Sequence, residues 1–192
     1  MFSFAKLLTT SVGLLLSAAI HAAPVVVDFD DLSGDNVVLA DGYGGIQWGG
    51  AWTHYGFVQY PYTAQSGSQR AYANAFGKQV SAFKFASDVK FIGAYFAGNP
   101  FETDAPQFEL YLDGVFQHSS AAPTISDTPA FLASGYNGLV DEVRVIASAG
   151  FYVIDDISYD VTPSQVPEPA GLLLLGTAAL AGFAASRRRQ KL

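Results

Sequence analysis

The chain has 192 residues, half of them hydrophobic, no cysteine and a formal net charge of −7. Lacking thiols, it has no disulfides to brace an exported fold, no cysteine-ligated zinc or iron–sulfur centre, and no thiolate nucleophile. The charge is uneven: residues 24–165 hold 16 acidic against five basic side chains, a net of −11, which repels nucleic acid and anionic lipid and excludes a nucleic-acid-binding role.

Residues 1–23 read as a signal peptide. Lys6 and the free amine make a basic start, Leu7 to Ile20 is mostly apolar, and His21-Ala22-Ala23 supplies small residues for cleavage. The apolar stretch is short for a bilayer span, which needs about 20 residues; the alternative is an uncleaved N-terminal anchor.

Residues 24–160 are expected to form one domain. Short β-branched and aromatic runs, punctuated by Gly, Asn, Asp and Pro, predict an all-β fold, a two-sheet β-sandwich or jelly roll. Val25–Phe29 reads as a first strand. Val80–Phe85 and Val89–Phe96 read as two strands joined by a turn near Ser87-Asp88. Gln107–Leu112 alternates apolar and polar residues, and Asp113-Gly114 predicts a type I′ turn into Val115–His118. Leu139–Ile146 and Phe151–Tyr159 read as a final pair across Ser148-Ala149-Gly150.

Residues 161–169 form a linker ending in Val166-Pro167-Glu168-Pro169, followed by the uncharged run 170–186 and a basic tail, 187–192, that contains Arg187, Arg188 and Arg189. As a helix, the uncharged run is about 25 Å long at 1.5 Å per residue. It falls slightly short of a hydrocarbon core of about 30 Å, a deficit that snorkelling arginines reduce. The positive-inside bias keeps the arginine cluster in the cytoplasm and places the acidic body outside, in agreement with a signal peptide.

The order of Val-Pro-Glu-Pro, short Leu/Ala/Gly helix and terminal arginines resembles the PEP-CTERM sorting signal of Gram-negative bacteria. The resemblance implies an inner-membrane precursor recognised by an exosortase, a membrane-embedded cysteine transpeptidase that removes the tail and passes the domain to the cell surface or exopolysaccharide matrix. Similar tails also carry the name of an ice-binding protein C-terminal domain, a label for the tail alone; no regular Thr array is visible here. The other reading of residues 166–192 is an ordinary tail anchor.

Three further segments, Phe29-Asp30-Asp31-Leu32, Tyr43-Gly44-Gly45-Ile46-Gln47-Trp48 and Ile154-Asp155-Asp156-Ile157, resemble landmarks of secreted galactose-binding-like jelly-roll modules. This implies a sandwich of a kind that often binds carbohydrate, with no particular ligand.

Residues 42–62 hold both tryptophans and five further aromatic residues among glycines. Aromatic faces stack on the CH faces of sugars, but they also fill cores. Trp48, beside Ile46, reads as core. Trp52, Tyr55 and Tyr60 are the candidate glycan contacts, with plain packing as the alternative. Asp30, Asp31 and Asp155 are candidate ligands for a structural calcium, which takes six to eight oxygens. By strict alternation Asp155 shares an apolar face with Val153 and Ile157, and an Asp there must be protonated, hydrogen-bonded or bound to a cation. The alternative to a metal is that Asp155 accepts backbone N–H bonds at a bulge.

His54 and His118 have no sequence-local partners, and no hydrolase, zincin or P-loop motif is present. The expectation is a non-catalytic, exported surface or matrix protein whose partners are an exosortase and exopolysaccharide. The alternatives are a purely structural matrix protein and a carbohydrate-active hydrolase, whose carboxylate pair would be invisible in sequence.

Overall fold

β-branched and aromatic side chains favour a pleated, half-buried backbone, and the runs that carry them fold as strands. The computed structural model describes residues 23–74, 80–99, 105–148 and 151–161. All but the last residue of the expected signal peptide lies outside the described residues, as do the linker beyond Val161, the Val-Pro-Glu-Pro motif, the apolar run expected to be a helix and the basic tail. Among the described residues no helix is long and apolar enough to cross a membrane.

Eleven strands are described: β1 (Val25–Val27), β2 (Val37–Val38), β3 (Ile46–Gln47), β4 (Trp52–Tyr55), β5 (Arg70–Ala73), β6 (Val80–Gly98), β7 (Gln107–Leu112), β8 (Val115–Ser119), β9 (Ala130–Ala133), β10 (Val140–Ile146) and β11 (Tyr152–Val161). They form one continuous antiparallel sheet in the order β2-β4-β5-β11-β6-β10-β7-β8, with β1 added to β11 and β3 and β9 to β6. The fold is therefore all-β, as its sequence pattern predicts.

The expected turn near Ser87-Asp88 does not form; β6 runs through it for 19 residues. Its first half pairs with β3 and β10, its second with β9 and β11, and Val89 is shared between β10 and β11. Two sets of partners hold the chain extended where local sequence suggested a reversal. For the same reason β10 and β11 are not a hairpin pair: β6 lies between them. The β7–β8 hairpin forms as expected, with Asp113 at φ 51 and Gly114 at φ 76, the two left-handed residues that a type I′ turn requires. The first strand stops at Val27, short of the expected Phe29, which has φ 62 and turns its ring into the core.

One aromatic core draws on β4, β6 and β7 and on the loop that carries Trp48. Trp48 and Trp52 lie 6.1 Å apart, Trp52 and Phe83 of β6 6.0 Å, and Phe108 of β7 meets both Phe91 and Phe96. Both indoles are satisfied: Trp48 Nε1 donates to Tyr43 O at 3.1 Å and Trp52 Nε1 to Ala82 O at 3.0 Å. On the other wing, Glu142 of β10 pairs with Lys84 of β6 at 2.9 Å and with Arg144. Burial pushes the Glu142 carboxyl up, but hydrogen bonds from these two cations outweigh it and hold the pKa below the ordinary value.

Candidate functional site

Side chains alternate across a strand, so β4, β5 and β11 each present two faces. Trp52, Ala71, Ala73, Tyr152 and Ile154 point into the main core. The intervening residues Tyr55 and Val153, joined by Ala97 of β6, form a second, smaller cluster against which Tyr62 and Tyr72 pack. This outer face carries an open, aromatic-lined cleft that divides into two hollows.

The first hollow, about 320 Å³, is lined by Tyr55, Phe57, Tyr62, Tyr72 and the amides of Asn36 and Gln59, with the start of β11 behind them. Among the described residues no charged side chain lines it. Burial pushes the Tyr55 hydroxyl pKa up, against the lowering effect of Arg70, so this group stays neutral. The second hollow, about 290 Å³, lies under the 56–64 loop and includes Val58, Tyr60, Tyr62, Thr63, Ser68 and Arg70. Gln59 and Tyr62 line both.

The loop over these hollows is held by hydrogen bonds from below. Arg70, only 3% exposed, donates through Nη2 to Phe57 O at 2.7 Å and through Nη1 to Ser68 O at 2.8 Å. Its guanidinium stacks 4.0 Å from the centre of the Tyr55 ring. Asp35 accepts the amides of Gly56 and Phe57, and Tyr62 N donates to Gln59 O at 2.8 Å.

The expected glycan contacts separate here. Tyr60 is 72% exposed at the rim. Tyr55 is buried but lines the floor of the first hollow. Trp52 is fully buried in the main core, so its expected exposure is corrected: β4 is covered on both faces, and Trp52 lies on the face opposite Tyr55. Trp48 is core, as expected. Phe57 (43% exposed), Tyr72, Asn36 and Gln59 were not singled out from sequence. Phe57 belongs to the same aromatic segment, whereas Tyr72 and Asn36 reach the cleft only through the pairing of β4 with β5 and β2.

Asp30, which follows β1, and Asp155 of β11 converge on the loop 65–69. Asp155, 2% exposed, accepts Gln65 N at 2.7 Å and Ser66 N at 3.2 Å on Oδ2, and Asp156 N at 2.8 Å on Oδ1. Asp30 accepts Ser68 N at 2.9 Å and Gln69 N at 3.2 Å. Gly67 stands between them at φ 40, where a Cβ would collide with the Asp30 carboxylate. Asp31 instead accepts the Tyr43 hydroxyl at 2.6 Å.

Amide donors thus occupy the positions where a cation would be sought. Among the described residues no group of three or more His, Cys, Asp or Glu side chains is arranged to hold a metal. The candidate calcium set Asp30, Asp31 and Asp155 is accordingly not assembled as a cage.

The expected face-sharing of Asp155 with Ile157 is also corrected. Asp156 adopts φ 46, the register shifts between Asp155 and Ser158, and this bulge returns Ile157 to the core while Asp155 stays outside with Val153. Burial raises the Asp155 pKa to about 7, assisted by the charge of Asp156 and opposed by the amides of Ser66, Asp156 and Gln65.

Of the two histidines, buried His54 donates through Nδ1 to Gln69 Oε1 at 2.9 Å, and His118 stacks on Tyr136. Neither lines either hollow of the cleft.

No curated protein and no solved structure matches the chain. The family model of the PEP-CTERM protein-sorting motif matches residues 165–189, the segment containing Val166-Pro167-Glu168-Pro169, the apolar run and Arg187, Arg188 and Arg189. The motif implies export and processing by an exosortase. An acidic all-β body thus stands ahead of a segment, residues 165–189, that matches the PEP-CTERM protein-sorting motif.

Proposed function

We propose that this chain is a non-catalytic glycan-contacting protein of the cell surface or exopolysaccharide matrix, held at the inner membrane by residues 170–186 and Arg187 to Arg189 until an exosortase releases it. The observation that carries the glycan reading is the open cleft on the outer face, walled by Tyr55, Phe57, Tyr62 and Tyr72, supplied with amides and, among the described residues, free of charged lining in its larger hollow. Rings offer flat apolar faces to sugar CH groups, and amides and hydroxyls meet their OH groups. The non-catalytic reading is supported by the larger hollow, whose described lining residues include no carboxylate or imidazole to act as acid or base. We also read the continuous sheet as a curled two-layer jelly roll, because the two halves of β6 take different partners while Phe83 and Phe96 feed one core.

A glycan array probed with the full-length chain in detergent tests the proposal. Binding that is lost in Phe57→Ala supports it. Binding to no glycan, or binding indifferent to that change, favours the structural matrix reading. One feature supports that alternative: β8 stands at an end of the strand order with Val115 and Phe116 exposed, and edge strands of this kind are templates for chain association.

A further inference from the structure

The two hollows are unlike a pocket for one small molecule. At about 320 and 290 Å³ each lies near the lower bound of ligand sites, about 300 Å³, whereas together they fall well within the usual range. They adjoin across Gln59 and Tyr62, which line both. Each also has its own exposed ring, Phe57 on the larger hollow and Tyr60 on the smaller. From this geometry, and resting on the glycan reading above, we infer that the hollows are consecutive subsites for an uncharged sugar chain, so that the protein grips an internal stretch of a polymer and not a single residue.

Charge selects the class of chain. The body carries 16 acidic residues, yet none among the described residues lines either hollow. The one cation lining them among the described residues, Arg70, is buried, has both terminal nitrogens turned onto backbone carbonyls and lays its face on Tyr55. It anchors the loop and presents little to an incoming anion, while the net charge of −11 repels a polyanion. What remains facing the ligand is neutral: phenol and phenyl rings, the amides of Asn36 and Gln59, and the hydroxyl of Thr63. The loop is pre-organised by Arg70, Asp35 and the Gln59–Tyr62 turn, so little ordering cost is left for binding.

The test is calorimetric titration of the full-length chain in detergent with glucose, galactose, mannose and N-acetylglucosamine oligomers of one to six residues, and with uronate oligomers of matched length. At least one neutral series is expected to bind, with Kd falling about tenfold between one residue and three, then levelling off as both hollows fill. Tyr60→Ala is expected to lower the affinity of the longest oligomer about tenfold. A monomer that binds as tightly as its hexamer, or a hexamer indifferent to Tyr60→Ala, overturns the two-subsite inference and leaves the glycan reading standing. Uronate oligomers bound as tightly as neutral ones overturn the charge assignment. Binding to none of the series overturns both the inference and the glycan reading.

Discussion

Trp52 and Tyr55 belong to the same four-residue strand and are both buried, yet they serve different regions. Trp52 meets Trp48 and Phe83 in an interior where every wall is apolar. Tyr55 lies on the opposite face, beneath a loop and beside Arg70, where rings, amides and open space alternate. Both regions hold aromatic rings; what separates them is whether the main core cluster surrounds the rings or a loop alone covers them. In the core an aromatic ring contributes the burial of its surface. On the outer face part of that surface stays available to a ligand.

Substitutions break this comparison in graded steps. Trp52→Ala should cost about 3–5 kcal/mol through lost burial and a residual cavity, seen as a large fall in the urea midpoint or as failure to fold. Asp155→Ala is next: it strips the acceptor from the amides of Gln65, Ser66 and Asp156, at a cost on the order of 3 kcal/mol. The same midpoint measures it, and an unchanged value would show that the loop 65–69 does not depend on this carboxylate.

A pH dependence comes from the same carboxyl. The Asp155 pKa is raised in the folded state to about 7 from an ordinary 3.8, so the native chain holds this proton more tightly than the unfolded chain. Its contribution to stability is therefore complete below about pH 4, declines as pH rises toward 7, and is level above that. Urea midpoints across this window should fall less in Asp155→Asn than in the parent.

Tyr60→Ala, at the exposed rim, should change stability by less than about 0.5 kcal/mol while weakening any glycan affinity, so it separates the two roles of aromatic residues most sharply. The smallest expected effect is that of a chelator: because amides fill the positions around Asp30 and Asp155, EDTA should leave the thermal midpoint unchanged. A drop would instead restore calcium to the account.

Some of this was legible in residue order. The all-β class, the β7–β8 hairpin and the sorting tail depend on local or linear signals: an Asp-Gly pair between alternating runs, and a motif, apolar run and arginines in sequence. The aromatic segment 42–62 supplies Tyr55, Phe57, Tyr60 and Tyr62 to the cleft. It did not say which rings would face outward, because β4 is covered on both sides, and alternation divides residues into two faces without naming the outer one.

By itself, then, the sequence determined the chain's address, its strand-forming character and its acidic body, all properties of composition and short-range order. Only the tertiary structure decided that β6 continues through Ser87-Asp88, that Asp156 bulges so that Asp155 and Ile157 part, and that Tyr72 and Asn36 join Tyr55 and Phe57 around one cleft. These outcomes depend on pairing between strands far apart in the chain. One bulged residue reverses the face of every residue beyond it, and no local pattern encodes where that happens.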